Sequence, residues 1–170
     1  MSVFKMFAIS LAVAVLGASA AVAQTAKASI MNVTGQQVGS VVFSQTPHGV
    51  LIRMSITKLP SGERAFHIHA AGRCEAPFTS AGGHFNPDGK KHGLHSKEGH
   101  HAGDMPNINI SADGSLSIEV LNSAVTLEKG KSNSLLKEGG TSLIIHEGKD
   151  DYRTDPTGEA GGRIACGVIQ

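Results

Sequence analysis

Nine histidines stand in 170 residues, and seven of them fall between positions 67 and 101. The first pair is in Phe66-His67-Ile68-His69. On a strand, alternate side chains share a face, so His67 and His69 project together while Phe66 and Ile68 turn toward a core. Two imidazoles on a rigid surface suit metal ligation, but such a pair also describes two ordinary surface histidines. A second group follows in Gly83-His84-Phe85-Asn86-Pro87, Lys91-His92-Gly93 and His101-Ala102-Gly103-Asp104. Three imidazoles and a carboxylate form a tetrahedral set acceptable to Zn(II), and a metal there would order a loop with no core of its own. The competing reading is a solvated His-rich loop that buffers metal loosely. His146 ends the apolar run Leu143-Ile144-Ile145, where a buried, satisfied histidine is the usual reading. Arg163 lies three residues before Cys166 and, taken alone, is a surface charge.

The elements that must position these groups are short strands. β-Branched or alternating apolar residues at 28–33, 38–44, 50–57, 63–69, 108–111, 116–121, 142–146 and 163–169 predict eight of them. Asp113-Gly114 and Glu138-Gly139-Gly140 mark turns, and no repeat or amphipathic helix stands out. Twenty-one glycines fit a chain of many tight turns. The expected fold is all-β, an eight-stranded antiparallel β-barrel or sandwich. Two long loops, about 70–106 and 147–162, interrupt the strands; connections of that length are usually functional or disordered. Metal ions and a disulfide are the candidates for holding them.

Residues 1–23 read as a signal peptide: Lys5, an apolar run over 6–16 too short for a comfortable membrane span, and Ala21-Val22-Ala23 before a cleavage point at Gln24. A retained membrane anchor is the alternative. Residues 24–170 then form one domain. The formal charge of +1 suggests no nucleic-acid partner. An exported chain with only Cys74 and Cys166 meets an oxidising compartment, where a pair usually becomes a disulfide; two buried thiols are the other reading.

Taken together, F-H-I-H, G-G-H-F-N-P, K-K-H-G, H-A-G-D, I-I-H-E-G-K-D-D and G-G-R-I-A-C-G-V-I resemble the copper/zinc superoxide dismutases, in order and at compatible spacings. The segment Cys74-Glu75-Ala76-Pro77 and the leader look like the exported bacterial branch, so a periplasmic or secreted protein is expected. The resemblance implies the Greek-key version of the barrel. It also implies that His67, His69, His84 and His146 bind copper and that His84, His92, His101 and Asp104 bind zinc, with His84 bridging. Four imidazoles suit tetragonal Cu(II), and a carboxylate goes with zinc. Asp150 matches the carboxylate that links a copper-ligand histidine to a zinc-ligand histidine, Arg163 the arginine that attracts the anionic substrate, and Cys74 with Cys166 the disulfide of the family.

The activity so implied is conversion of superoxide to oxygen and hydrogen peroxide through Cu(II)/Cu(I) cycling, with Zn(II) structural and His84 taking a proton. Lys149 and Arg153 are candidates for an attractive field, and plain solubility explains them as well. A homodimer is expected in a family with monomeric and dimeric members. The rival from another class is a non-enzymatic copper or zinc carrier on the same barrel, against which stand the four copper-ligand positions and Arg163. His95 and His100 are expected to be exposed, and His48 receives no role.

Overall fold

The computed structural model describes residues 24–170; the expected signal peptide lies outside them. Nine strands form: β1 (Thr25–Asn32), β2 (Gln37–Thr46), β3 (Gly49–Ile56), β4 (Gly62–Arg64), β5 (Phe66–His69), β6 (Ile108–Ile110), β7 (Leu116–Asn122), β8 (Thr141–His146) and β9 (Arg163–Ile169). Seven make one antiparallel sheet in the order β5-β8-β9-β1-β2-β3-β7, and β4 pairs with β6. β4 runs on into β5 through Ala65, and β6 turns tightly into β7, where Ser111 N–H donates to the Ser115 carbonyl (3.0 Å). The β4–β6 ribbon therefore connects in sequence to both edges of the large sheet, which curls into a barrel.

One expected strand, 63–69, is thus two. At Ala65 the backbone leaves the β4 ladder: its N–H donates to the Gly148 carbonyl, and its carbonyl accepts from His146 N–H. The chain changes sheets at that residue, which composition does not reveal. The other seven expected strands each overlap an observed one within a few residues of its ends.

Alternation dictates the packing. Ala26, Ala28 and Ile30 of β1, Phe43 of β2, and Val50, Ile52, Met54 and Ile56 of β3 are buried, while residues between them face outward. Phe66 and Ile68 of β5, Leu143 and Ile145 of β8, and Ile108 and Ile110 of β6 join the same cluster. β5 and β8 differ from the rest in being buried on both faces. Their inner face fills the barrel, and their outer face lies beneath the long loops.

Three long connections link the strands. Residues 70–107 and 147–162 are the two expected loops. The third, 123–140, buries Val125, Leu127 and Leu135 in the main core. Its sequence signal is diffuse because its apolar residues follow no period. Cys74 and Cys166 form a disulfide with Cα atoms 5.6 Å apart, tying the start of the first loop to β9. Beside it, Phe78, Ala81, Ile144 and Cys166 make a second small apolar cluster.

Candidate metal centre

His67 and His69 leave the outer face of β5, opposite Ile144 and Ser142 of β8. His146 ends β8, where a register shift turns its backbone toward Arg163 of β9. His84 comes from the first loop, whose backbone pairs with the free edge of β5. Phe85 N–H donates to the Ile68 carbonyl (2.8 Å), Ile68 N–H to the Gly103 carbonyl (2.9 Å), and Gly103 N–H to the Phe85 carbonyl (2.8 Å). A side chain at Gly103 is excluded by contact, since a Cβ there would lie 2.2 Å from the Ile68 carbonyl oxygen. The sheet edge thus shapes a loop with little regular structure of its own.

Each ring presents a defined nitrogen. Carbonyl and carboxylate oxygens accept, so the imidazole nitrogen facing one carries the proton. His67 Nε2–H donates to Asp150 Oδ2 (2.8 Å), His69 Nδ1–H to the Gly82 carbonyl (2.9 Å), and His146 Nδ1–H to the Gly161 carbonyl (3.4 Å). The remaining nitrogens, His67 Nδ1, His69 Nε2 and His146 Nε2, are buried without a partner, as is His84 Nε2. The ligand atoms of these four residues lie within 4.8 Å of one another. Four unpartnered buried acceptors facing one point are unfavourable in a metal-free protein and are what a cation-binding site requires.

The other nitrogen of His84 enters a second group. His84 Nδ1 lies 2.9 Å from Asp104 Oδ1, His92 Nδ1 lies 3.0 Å from the same oxygen, and His101 Nδ1 stands 3.4 Å from both that oxygen and His84 Nδ1. Four ligands at zinc bond lengths form a tetrahedron with edges of about 3.3 Å. The other carboxylate oxygen, Asp104 Oδ2, accepts the N–H groups of Gly93 (2.9 Å) and His101 (3.0 Å), which fixes its rotation.

Asp150, from the second loop, spans the two groups: Oδ2 accepts from His67, and Oδ1 accepts from His92 Nε2–H (3.0 Å). Arg163 donates to the Phe78 carbonyl (2.6 Å) and the Gly82 carbonyl (2.7 Å), so Gly82 holds both this guanidinium and His69.

Protonation preferences follow this geometry. Burial, reinforced by His84, lowers His69 to about 2. Burial, opposed by the Asp104 hydrogen bond, leaves His84 at about 4; burial and then His67 take His146 to about 3. These rings are held neutral, the form that ligates. Burial would lower His92 too, but hydrogen bonds to Asp104 and Asp150 outweigh it and raise it to about 9. Burial works against ionisation of Asp104, yet hydrogen bonds from His101, His84 and His92 hold it well below the usual carboxylate range. Asp150 is likewise depressed against the effect of burial, by His67 and His92.

All the site residues expected from sequence are therefore brought together. His95 and His100 are exposed outside both groups, and so is His48. Sequence reasoning missed the carbonyls of Gly82 and Gly161, which have no residue-type signature, and Asn107, whose side chain bonds the backbone of Asp150 (2.8 and 2.9 Å).

An antiparallel β-barrel carrying two adjoining histidine-rich groups that could each hold a metal ion, with one imidazole common to both, has the form of a two-site metal-binding protein. Residues 37–169 match the copper/zinc superoxide dismutase family, and the chain belongs to it. A superoxide dismutase [Cu-Zn] 1 of Aquifex aeolicus is 56% identical over 145 residues, covering 84% of this chain and 86% of that protein. A superoxide dismutase [Cu-Zn] of Caulobacter vibrioides is 39% identical over 139 residues, covering 80% of each chain. The crystal structure of a SOD-like protein from Bacillus subtilis superposes with a TM-score of 0.81 at 39% identity, covering 85% of this chain and 97% of that one. The chain is thus an oxidoreductase that uses copper and zinc and takes superoxide as substrate. Its fold is the family's Greek-key β-sandwich.

Proposed function

We infer that His67, His69, His84 and His146 hold the copper, that His84, His92, His101 and Asp104 hold the zinc, and that His84 serves both through its two ring nitrogens. The observation that carries this is the set of four buried, unpartnered nitrogens beside a second set that includes the Asp104 carboxylate. Four neutral nitrogens suit copper, and the mixed nitrogen–oxygen tetrahedron suits zinc.

Copper supplies one-electron chemistry when bound, and zinc supplies charge and shape without redox change. The protein's own groups do the rest. Arg163, its guanidinium held by two carbonyls, orients the superoxide anion; burial lowers its pKa, but a guanidinium stays charged at working pH. His84 carries a proton at Nε2 between the two half-reactions. Asp150 fixes the tautomers of His67 and His92 and so aims His67 Nδ1 at one site and His92 Nδ1 at the other.

Residues 1–23 are proposed as a removable signal and residues 24–170 as the exported domain. The Cys74–Cys166 disulfide supports an oxidising destination, with the periplasm as the proposed one. A homodimer, one of the two states found in the family, is proposed, and sedimentation checks it.

The test is superoxide decay by pulse radiolysis on the mature protein, with copper and zinc quantified in the same sample. Fast decay proportional to copper, at about one copper and one zinc per chain, is expected. Full occupancy without decay above free-metal controls would overturn the reading and leave a metal carrier on the same barrel.

A further inference from the structure

Asp150 reaches both candidate sites from a loop with no regular structure, so something must hold that loop. Asn107 holds its backbone on one side. Its Oδ1 accepts Asp150 N–H (2.8 Å), and its Nδ2–H donates to the Asp150 carbonyl (2.9 Å). On the other side stands Tyr152. Its N–H donates to Asp150 Oδ1 (2.6 Å), the oxygen that faces His92. Its phenol oxygen accepts Asn107 N–H (2.6 Å). Its carbonyl accepts His95 N–H (3.1 Å), and its ring meets the His95 ring edge-on with centroids 5.6 Å apart.

Tyr152 thus ties two points of the first loop, at His95 and at Asn107, to Asp150 in its own loop. It does so from a left-handed backbone conformation, φ 63°, which disfavours a bulky side chain. Gly93 is fitted to the same hub, since a Cβ there would lie 2.1 Å from the Tyr152 carbonyl oxygen. A tyrosine kept in such a conformation against ordinary steric preference is held by what it bonds.

We propose that Tyr152 is a positioning residue for both metal sites, acting through its phenol on Asn107 and through both on the Asp150 carboxylate. The inference rests on the reading that Asp150 links His67 to His92. Tyr152 is bonded to none of the seven candidate ligand residues, and its phenol reaches the sites by way of Asn107 and the Asp150 backbone that Asn107 holds. Removing one phenol oxygen leaves Asn107 N–H without its acceptor and frees the Asp150 backbone to shift.

The experiment measures zinc affinity by chelator competition, and the copper(II) absorption and electron paramagnetic resonance spectra. It compares the mature full chain with Tyr152→Phe, Asp150→Asn and the double variant. Tyr152→Phe is expected to weaken zinc about fivefold, as loss of one neutral hydrogen bond would, and to shift the copper(II) spectra. Asp150→Asn is expected to weaken zinc about 10–100-fold, with the double variant no weaker than Asp150→Asn alone. If Asp150→Asn weakens zinc while Tyr152→Phe matches the parent in affinity and spectra, the inference is overturned and the linking role of Asp150 stands. Additive effects in the double variant also overturn it, because Tyr152 would then act by another route. If neither variant moves zinc or copper, the linking role fails and the inference fails with it.

Discussion

Gly158 is the sharpest single test of how the two loops meet. Its φ is +68°, and a Cβ built there lies 2.0 Å from Asp150 Oδ1 and 2.6 Å from His92 Nε2. Alanine at this position has two effects. The left-handed conformation alone disfavours a Cβ by about 1–2 kcal/mol. The methyl group also occupies the space between the Asp150 carboxylate and the His92 ring, which are 3.0 Å apart. Breaking one charge-assisted hydrogen bond adds about 1.5–3 kcal/mol, so Gly158→Ala should destabilise the protein by about 3–5 kcal/mol and weaken zinc about 10–100-fold. Gly139 is the control. Its φ is +76°, and nothing lies within 4 Å of an added Cβ, so Gly139→Ala carries only the conformational term and should leave zinc affinity unchanged. Denaturant unfolding and chelator competition on the two variants side by side provide the assay. Equal destabilisation with equal zinc affinity would refute the claim that the space at Gly158 is reserved for the Asp150–His92 contact.

Arg163→Ala should reduce superoxide turnover about 10–100-fold, the equivalent of one charged hydrogen bond to the anion, while metal analysis finds both metals bound; unchanged turnover removes the orienting role. Reducing the Cys74–Cys166 bond opens a link between residues 92 apart in sequence. Chain entropy for such a loop is worth about 4–5 kcal/mol, so calorimetry with and without reductant should show a large drop in Tm, and none would contradict it. For the metal-free protein, His69, His84 and His146 are depressed to about 2, 4 and 3. The unfolded chain therefore takes up protons first, and stability falls as pH drops below about 6.5. His92, raised to about 9, has the opposite sign: its contribution is complete below about 6.5 and fades as pH rises toward 9. Thermal unfolding across pH should show a maximum near about pH 6.5; a flat profile would exclude this linkage.

Most of the fold was legible because period-2 patterning and turn residues carry it, as in Val50–Ile56 and Asp113-Gly114. The candidate site residues were legible as motifs, because a metal ligand must be one of a few residue types. What escaped was set by backbone geometry. The sheet switch at Ala65 depends on bonds to Gly148 and His146, more than 80 residues away. The carbonyls of Gly82 and Gly161 act through an atom every residue possesses. Tyr152 gave no warning either, since its role depends on where Asn107 and His95 arrive in space.

The Gly82 carbonyl oxygen accepts from His69 and from Arg163 at 2.9 and 2.7 Å. The two donors belong to different strands, β5 and β9, so one oxygen is the shared anchor point of a candidate copper ligand and of the guanidinium proposed to orient the anion. A substitution that moves Gly82 therefore reports at both groups at once, and neither can be retuned from this segment independently of the other.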